Sequence, residues 1–358
     1  MPKYKNLVFK GGGVRGIAYV GALEYFFREG LMRSIERVAG TSVGAITAAV
    51  LALNYEDFKK VQAVNDSLEY HRVPYTGGRP KKRADASENV PHALGGRFRS
   101  LFANAQCSLR LIQGMGWYSS KYVYGWMRDV VAGEFSVRKK AYTFRDFRDA
   151  SMHKSGRPFL DLYITGTDLS NRTSRVFSYE TTPDMEVALA VRISMSIPLF
   201  FETVPFRFPG TDKDQLYSDG GVLWNYPISL FDDPKYCDKL DDGINLETLG
   251  FFLFSSPEST HYKDIHSVVD YVGALFESLI LVQEQFTLYG PRNKKRSIFI
   301  NDMGIPPTQF DLVPGGDTYR GLYASGLEAA EAYFTDRTSW ETLIDKIRTR
   351  FGWQGTEY

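Results

Sequence analysis

Short, wholly apolar runs alternate with amphipathic stretches along most of this chain, and glycine clusters sit at the joints. Tyr4 to Lys10 holds a compact apolar run that predicts a buried strand. Gly11-Gly12-Gly13 follows, and Ile17 to Glu29 then reads as a helix with Val20, Leu23 and Phe27 on one face, stopped by Gly30. A second strand, Arg37 to Ala39, runs into Gly40-Thr41-Ser42-Val43-Gly44. Ala45 to Leu53, Ala-rich and apolar all round, reads as a buried helix. Strand, glycine turn and helix, repeated once, predicts a parallel α/β sheet.

From about residue 66 to 120 the pattern breaks. Arg72 to Arg99 carries seven Lys/Arg against two acids among scattered Pro and Gly, which predicts an insertion or cap without its own core. The α/β rhythm resumes with strands at Phe159 to Gly166 and Arg175 to Tyr179. A helix capped by Thr182, with Pro183 first, is expected to run to Ser194. Strands are expected at Thr203 to Phe208, Leu216 to Ser218, Leu249 to Phe254 and Ser297 to Asn301. Helices are expected at Ile265 to Tyr289 and Thr318 to Phe334. Thr338-Ser339-Trp340-Glu341 is a capping box that opens a final amphipathic helix through Phe351. The reading is therefore one domain over 1–335, interrupted by a cap at about 66–120, and a terminal helix in 336–358. That helix either packs on the body or faces a membrane.

Composition narrows the function classes. A chain of 358 residues with net charge +1 is no general binder of polyanions, so no nucleic-acid partner is expected. Two cysteines, Cys107 and Cys237, build neither a disulfide scaffold nor a C-x-x-C metal site. No apolar run approaches the roughly 20 residues of a membrane span, and Met1 to Asn6 lacks a secretory core. A cytoplasmic protein that meets membranes from the surface is the expectation. Aromatic residues make up 15%, more than a small core needs, which suits a large core or an apolar site.

Three glycine turns carry candidate chemistry. Gly40-Thr41-Ser42-Val43-Gly44 matches G-x-S-x-G between a strand and a helix, where a sharp turn projects the serine hydroxyl and small neighbours let the backbone approach itself. Gly11-Gly12-Gly13-Val14-Arg15-Gly16 could aim backbone N–H groups at an oxyanion, or cradle a dinucleotide pyrophosphate. The second use also needs an acid at the end of the next strand. Glu36 stands before that strand, so the dinucleotide reading lacks its anchor. Asp219-Gly220-Gly221 presents a carboxylate at a strand end. A base for Ser42 could be Asp219 itself, or His261 or His266 in a Ser-Asp-His order.

Taken together, these residues resemble the patatin-like phospholipases, with Gly11 to Gly16 as oxyanion loop, Ser42 as nucleophile and Asp219 as catalytic aspartate. The match spans Leu7 to about Asn225, and Ala190 to Pro198 resembles the segment before the family's Asp turn. The resemblance implies a three-layer α/β/α sandwich and cleavage of lipid acyl esters by a Ser–Asp dyad, with no metal and no cofactor. On that mechanism the oxyanion rests on N–H groups of Gly12 and Gly13 with Val14, and Arg15 orders the loop or draws in lipid phosphate. Membrane phospholipids are the expected partners. An activating protein or small ligand, and the oligomeric state, stay open. Arg79 to Arg83, Lys139-Lys140 and Arg292 to Arg296 are three basic stretches that could meet anionic lipid.

Overall fold

The computed structural model describes residues 4–75, 105–255, 264–266, 268–289 and 291–335. Its strands are β1 (Asn6–Phe9), β2 (Arg37–Gly40), β3 (Gly116–Tyr118), β4 (Asp161–Asp168), β5 (Thr173–Ser178), β6 (Leu199–Phe201), β7 (Val204–Phe206), β8 (Gln215–Asp219), β9 (Thr248–Phe254) and β10 (Ser297–Asn301). The helices are α1 (Ile17–Arg28), α2 (Val43–Ala52), α3 (Phe58–Asp66), α4 (Ala105–Gly114), α5 (Lys121–Gly133), α6 (Phe144–Arg148), α7 (Val187–Ser194), α8 (Gly221–Trp224), α9 (Val268–Tyr289), α10 (Pro291–Lys295) and α11 (Asp317–Thr335).

The main sheet has eight strands, with β10, β9, β1, β2 and β4 parallel in that order. β1 and β9 are buried along their whole length, which explains why they read as unbroken apolar runs: helices flank the sheet and leave no wet face. From β1 the chain winds outward through β2 and β4, then returns to add β9 and β10 on the other side of β1. This reversal makes the carboxyl end of β1 a switch point, where open α/β sheets leave a crevice for ligands. Residues beyond 232 thus complete the same sheet.

One expectation is corrected and two are narrowed. The helix expected to begin at Pro183 begins at Val187. Thr182 instead closes the turn after β5, accepting the Ser178 N–H at 3.2 Å, and the carbonyls of Pro183 and Met185 are taken by N–H groups of α6. In two of the basic stretches the structure commits particular members to ion pairs. Lys139 holds both carboxylate oxygens of Asp146 at 2.6 and 2.8 Å, Arg292 pairs with Asp242, and buried Arg296 forks onto Asp232 at 2.5 and 2.6 Å. The third, Arg79 to Arg83, lies outside the described residues, as does 336–358. At the margins of the proposed cap, β3 pairs with β6 in a separate two-stranded sheet, and Leu68, Tyr70 and Val73 are buried.

Candidate active site

Strand register brings the three turns together. Phe9 pairs with Gly40 at the carboxyl ends of β1 and β2, so Gly11 and Ser42 each stand two residues beyond a paired position. A Cβ on Gly11 would lie 3.2 Å from Ser42 Cβ. β2 stops pairing with β4 at Ile164, and β8 arrives antiparallel with Asp219 opposite Gly166. β5 holds the other edge of β4 over Tyr163 to Asp168. β2 and β8 therefore end head to head along one edge of β4, and Ser42 meets Asp219 across the gap.

Ser42 has φ 55° and ψ −122°, a backbone conformation that an L side chain occupies only under constraint. The constraint is visible in three places. A Cβ on Gly40 would lie 2.0 Å from the Gly44 carbonyl oxygen, and one on Gly44 would lie 2.3 Å from the Phe9 carbonyl oxygen, so both flanking glycines are obligatory. The Ser42 N–H donates to Ser194 Oγ at 2.9 Å. Ser194 belongs to the Ala190 to Pro198 segment, and its function there becomes physical: this segment braces both turns. The Ser194 carbonyl accepts the Gly220 N–H at 3.2 Å, and the Ser196 carbonyl accepts the Asp219 N–H at 2.8 Å.

Asp219 is 1% exposed. Its Oδ1 accepts the Gly221 N–H at 2.7 Å, while Oδ2 has no hydrogen-bond partner among the described residues. Burial pushes its pKa up to about 7, and the Gly221 N–H and the neighbouring Ser42 hydroxyl oppose that rise only in part. A carboxyl poised near neutrality beside a hydroxyl has the basicity that general-base chemistry requires.

The glycine loop is narrower in use than its sequence suggests. Gly11 gives its N–H to the Asn225 carbonyl at 3.0 Å, and Val14 gives its own to the Pro307 carbonyl at 3.0 Å. Val14 is thus removed from the set of oxyanion donors, and Gly11 with it. Gly16 serves packing, since a Cβ there would strike Val43 Cγ2 at 2.2 Å. Arg15 donates Nε to the Gly12 carbonyl at 2.9 Å and pairs with buried Asp302, which leaves it ordering the loop and not reaching for lipid. Because a trans peptide points its C=O and N–H in opposite directions, Arg15 turns the Gly13 N–H away from itself. Asn225 Nδ2, 3.5 Å from the Gly11 carbonyl, does the same for the Gly12 N–H. Among the described residues, neither N–H makes a hydrogen bond, and nor does that of Val43 at the first position of α2. Gly13 has φ 59°, and a Cβ there would lie 2.0 Å from the Pro307 oxygen.

Above Ser42 lies a narrow cavity of about 40 Å³, bounded by Ile46, Tyr70, Val123, Ile197, Phe201 and Phe310 among others. No described histidine lines it. His266 is exposed and lies 3.7 Å from Asp264; buried His153 stacks on Phe159 and spends both ring nitrogens on backbone carbonyls. His261 lies outside the described residues. His266→Ala is expected to keep acyl-ester hydrolysis within about twofold of wild type, and a dead variant would bring a histidine base back. A dinucleotide pyrophosphate would need the N–H groups that Gly11 and Val14 have already committed.

Fold and site together define an α/β protein with a serine on a strained strand-to-helix turn at the carboxyl edge of its sheet. The chain belongs to the patatin-like phospholipase family, whose model matches residues 7–232. It is 29% identical over 282 residues to "Uncharacterized protein YqhO" of Bacillus subtilis (strain 168), covering 77% of this chain and 80% of that one. "Probable lipid hydrolase 463L" of Invertebrate iridescent virus 6 is 26% identical over 274 residues, 74% of each chain. Among solved structures, VipD from Legionella pneumophila shares the fold, with TM-score 0.53 and 18% identity over 97% of this chain and 67% of that one.

Proposed function

We propose that this chain hydrolyses the carboxylic acyl esters of phospholipids through Ser42 and Asp219, acting from the cytoplasm at a membrane surface. The observation that carries the reading is the Ser42 hydroxyl held beside a buried acid of pKa about 7, under the unpaired N–H groups of Gly12 and Gly13. Ionised Asp219 takes the proton as Ser42 Oγ attacks the ester carbonyl. The carbonyl oxygen becomes an oxyanion on the loop amides, each well-placed donor contributing roughly 3–4 kcal/mol. Collapse breaks the ester C–O bond, Asp219 returns its proton to the lysolipid oxygen, and the acyl group stays on Ser42. Water then attacks with Asp219 again as base, the Ser42 Oγ–acyl bond breaks as Asp219 returns the proton to Oγ, and the fatty acid leaves. The apolar side chains around the cavity suit the carbons next to an ester carbonyl.

Product analysis tests this. Phosphatidylcholine vesicles incubated with the chain should yield free fatty acid and lysophosphatidylcholine. Release of phosphocholine with diacylglycerol would mean phosphodiester cleavage, and the reading would fail.

A further inference from the structure

Helix α9 is inside out. Its outer face carries Tyr271, Leu275, Leu279, Val282 and Phe286, which follow one another at helical spacing and are between 48% and 76% exposed. Ser278 is the polar member of that face, and its hydroxyl is satisfied by the Ala274 carbonyl at 2.7 Å. A contiguous apolar stripe of this length on a solvent face is a docking surface.

The inner face holds the catalytic turns. Gln283 donates to the carbonyls of Gly221 and Val222 at 2.9 and 3.2 Å, and its Oε1 accepts the Asn225 N–H at 2.8 Å. Glu284 pairs at 2.5 Å with buried Lys10, the residue before the glycine loop. The helix also packs against β6, which sends Phe201 into the cavity over Ser42 and leaves Leu199 on the surface. The helix that bears the stripe therefore adjoins a strand that borders the site.

We propose that α9 is the element that docks this enzyme on a lipid bilayer, its outer stripe lying in the interface while its inner face holds the Asp219 turn at the membrane surface. The inference rests on the lipid-hydrolase reading, which requires the site to face a bilayer. Charge selects the lipid chemistry. From Val268 to Tyr289 the helix carries Asp270, Glu277 and Glu284 and no Lys or Arg, so docking is apolar and proceeds on zwitterionic lipid.

The test uses the full chain with Ser42→Ala, which keeps vesicles intact. It should float with phosphatidylcholine vesicles equally at low and high salt, and no better when anionic lipid is added. Adding Leu275→Glu and Leu279→Glu should cut vesicle partition about tenfold or more. The same pair placed in the chain with Ser42 intact should leave kcat/KM on a soluble short-chain ester within about twofold. Should the paired substitution fail to fold, Leu279→Trp decides. Vesicles with brominated acyl chains should quench its fluorescence beyond the quenching of the parent's own tryptophans. Partition unchanged by the paired substitution, or binding that needs anionic lipid, overturns the proposal. So does a solution dimer that the substitution dissolves, which would make the stripe a face between copies. Quenching of the Leu279→Trp protein no greater than that of the parent overturns it as well. Flotation reads docking without turnover and the soluble ester reads turnover without docking, so either reading can fail while the other stands.

Discussion

Ser42→Ala and Ser42→Gly are expected to lose acyl-ester hydrolysis to the same floor, roughly ten-thousandfold or more below wild type, and yet to differ in stability. The kinetic half follows from losing the attacking oxygen: the amides of Gly12 and Gly13 can still polarise a carbonyl, but no acyl-enzyme forms. The stability half follows from φ 55° and ψ −122° at this residue. Alanine keeps the strained backbone; glycine reaches that region without a Cβ clash. Ser42→Gly should therefore be the more stable of the two by about 1 kcal/mol, after its greater unfolded-state entropy is counted. Steady-state turnover and urea unfolding on the same preparations check both halves. Wild-type turnover in Ser42→Ala would remove the serine from the chemistry. Equal stability of the two variants would mean that the turn stores no strain.

Much of the framework was legible because it is local. The buried runs that became β1, β4, β9 and β10 and the helices α1, α2 and α11 announce themselves within a dozen residues by burial pattern and punctuation. Gly40, Ser42 and Gly44 are legible for the same reason, since a single turn fixes all three. What pairs across the fold was not. No local pattern tells that β8 ends against the free edge of β4, yet that register is what delivers Asp219 to Ser42. The Pro307 carbonyl returning to the Val14 N–H was equally invisible, so the loop seemed to offer more donors than it has. Asn225 and Asp302, which aim the turns, carry no signal beyond their polarity, and Ser194 stood out only as one member of the Ala190 to Pro198 segment. Helix α9 is the converse case: its apolar middle was legible, but not that its apolar side faces out while Gln283 and Glu284 turn inward to the Asp219 turn and Lys10.

Asp219→Asn is expected to abolish turnover and, above pH 7, to stabilise the fold. The activity loss follows if Asp219 is the base, since an amide cannot take the Ser42 proton. The wild-type profile supplies the matching observation: kcat/KM on a soluble ester should rise with pH as the carboxyl ionises, bend near pH 7 and then level. The stability sign is set by the same shift. The folded pKa of about 7 lies above the ordinary 3.8 of an unfolded aspartate, so between these values the native state keeps a proton that the unfolded chain gives up. Stability contributed by this group is present below about pH 4 and is lost as pH climbs to about 7, on the order of 4 kcal/mol in all. Asparagine does not titrate. It retains an oxygen for the Gly221 N–H, and its NH₂ replaces an Oδ2 that has no partner among the described residues of the wild type and can donate to Ser42 Oγ. Unfolding midpoints of the two proteins should thus nearly coincide at pH 4 and separate in favour of the variant by pH 8. An Asp219→Asn protein less stable than wild type at pH 8 would mean that the carboxylate is held charged by the native site, and Asp219 would then be too weak a base for the serine.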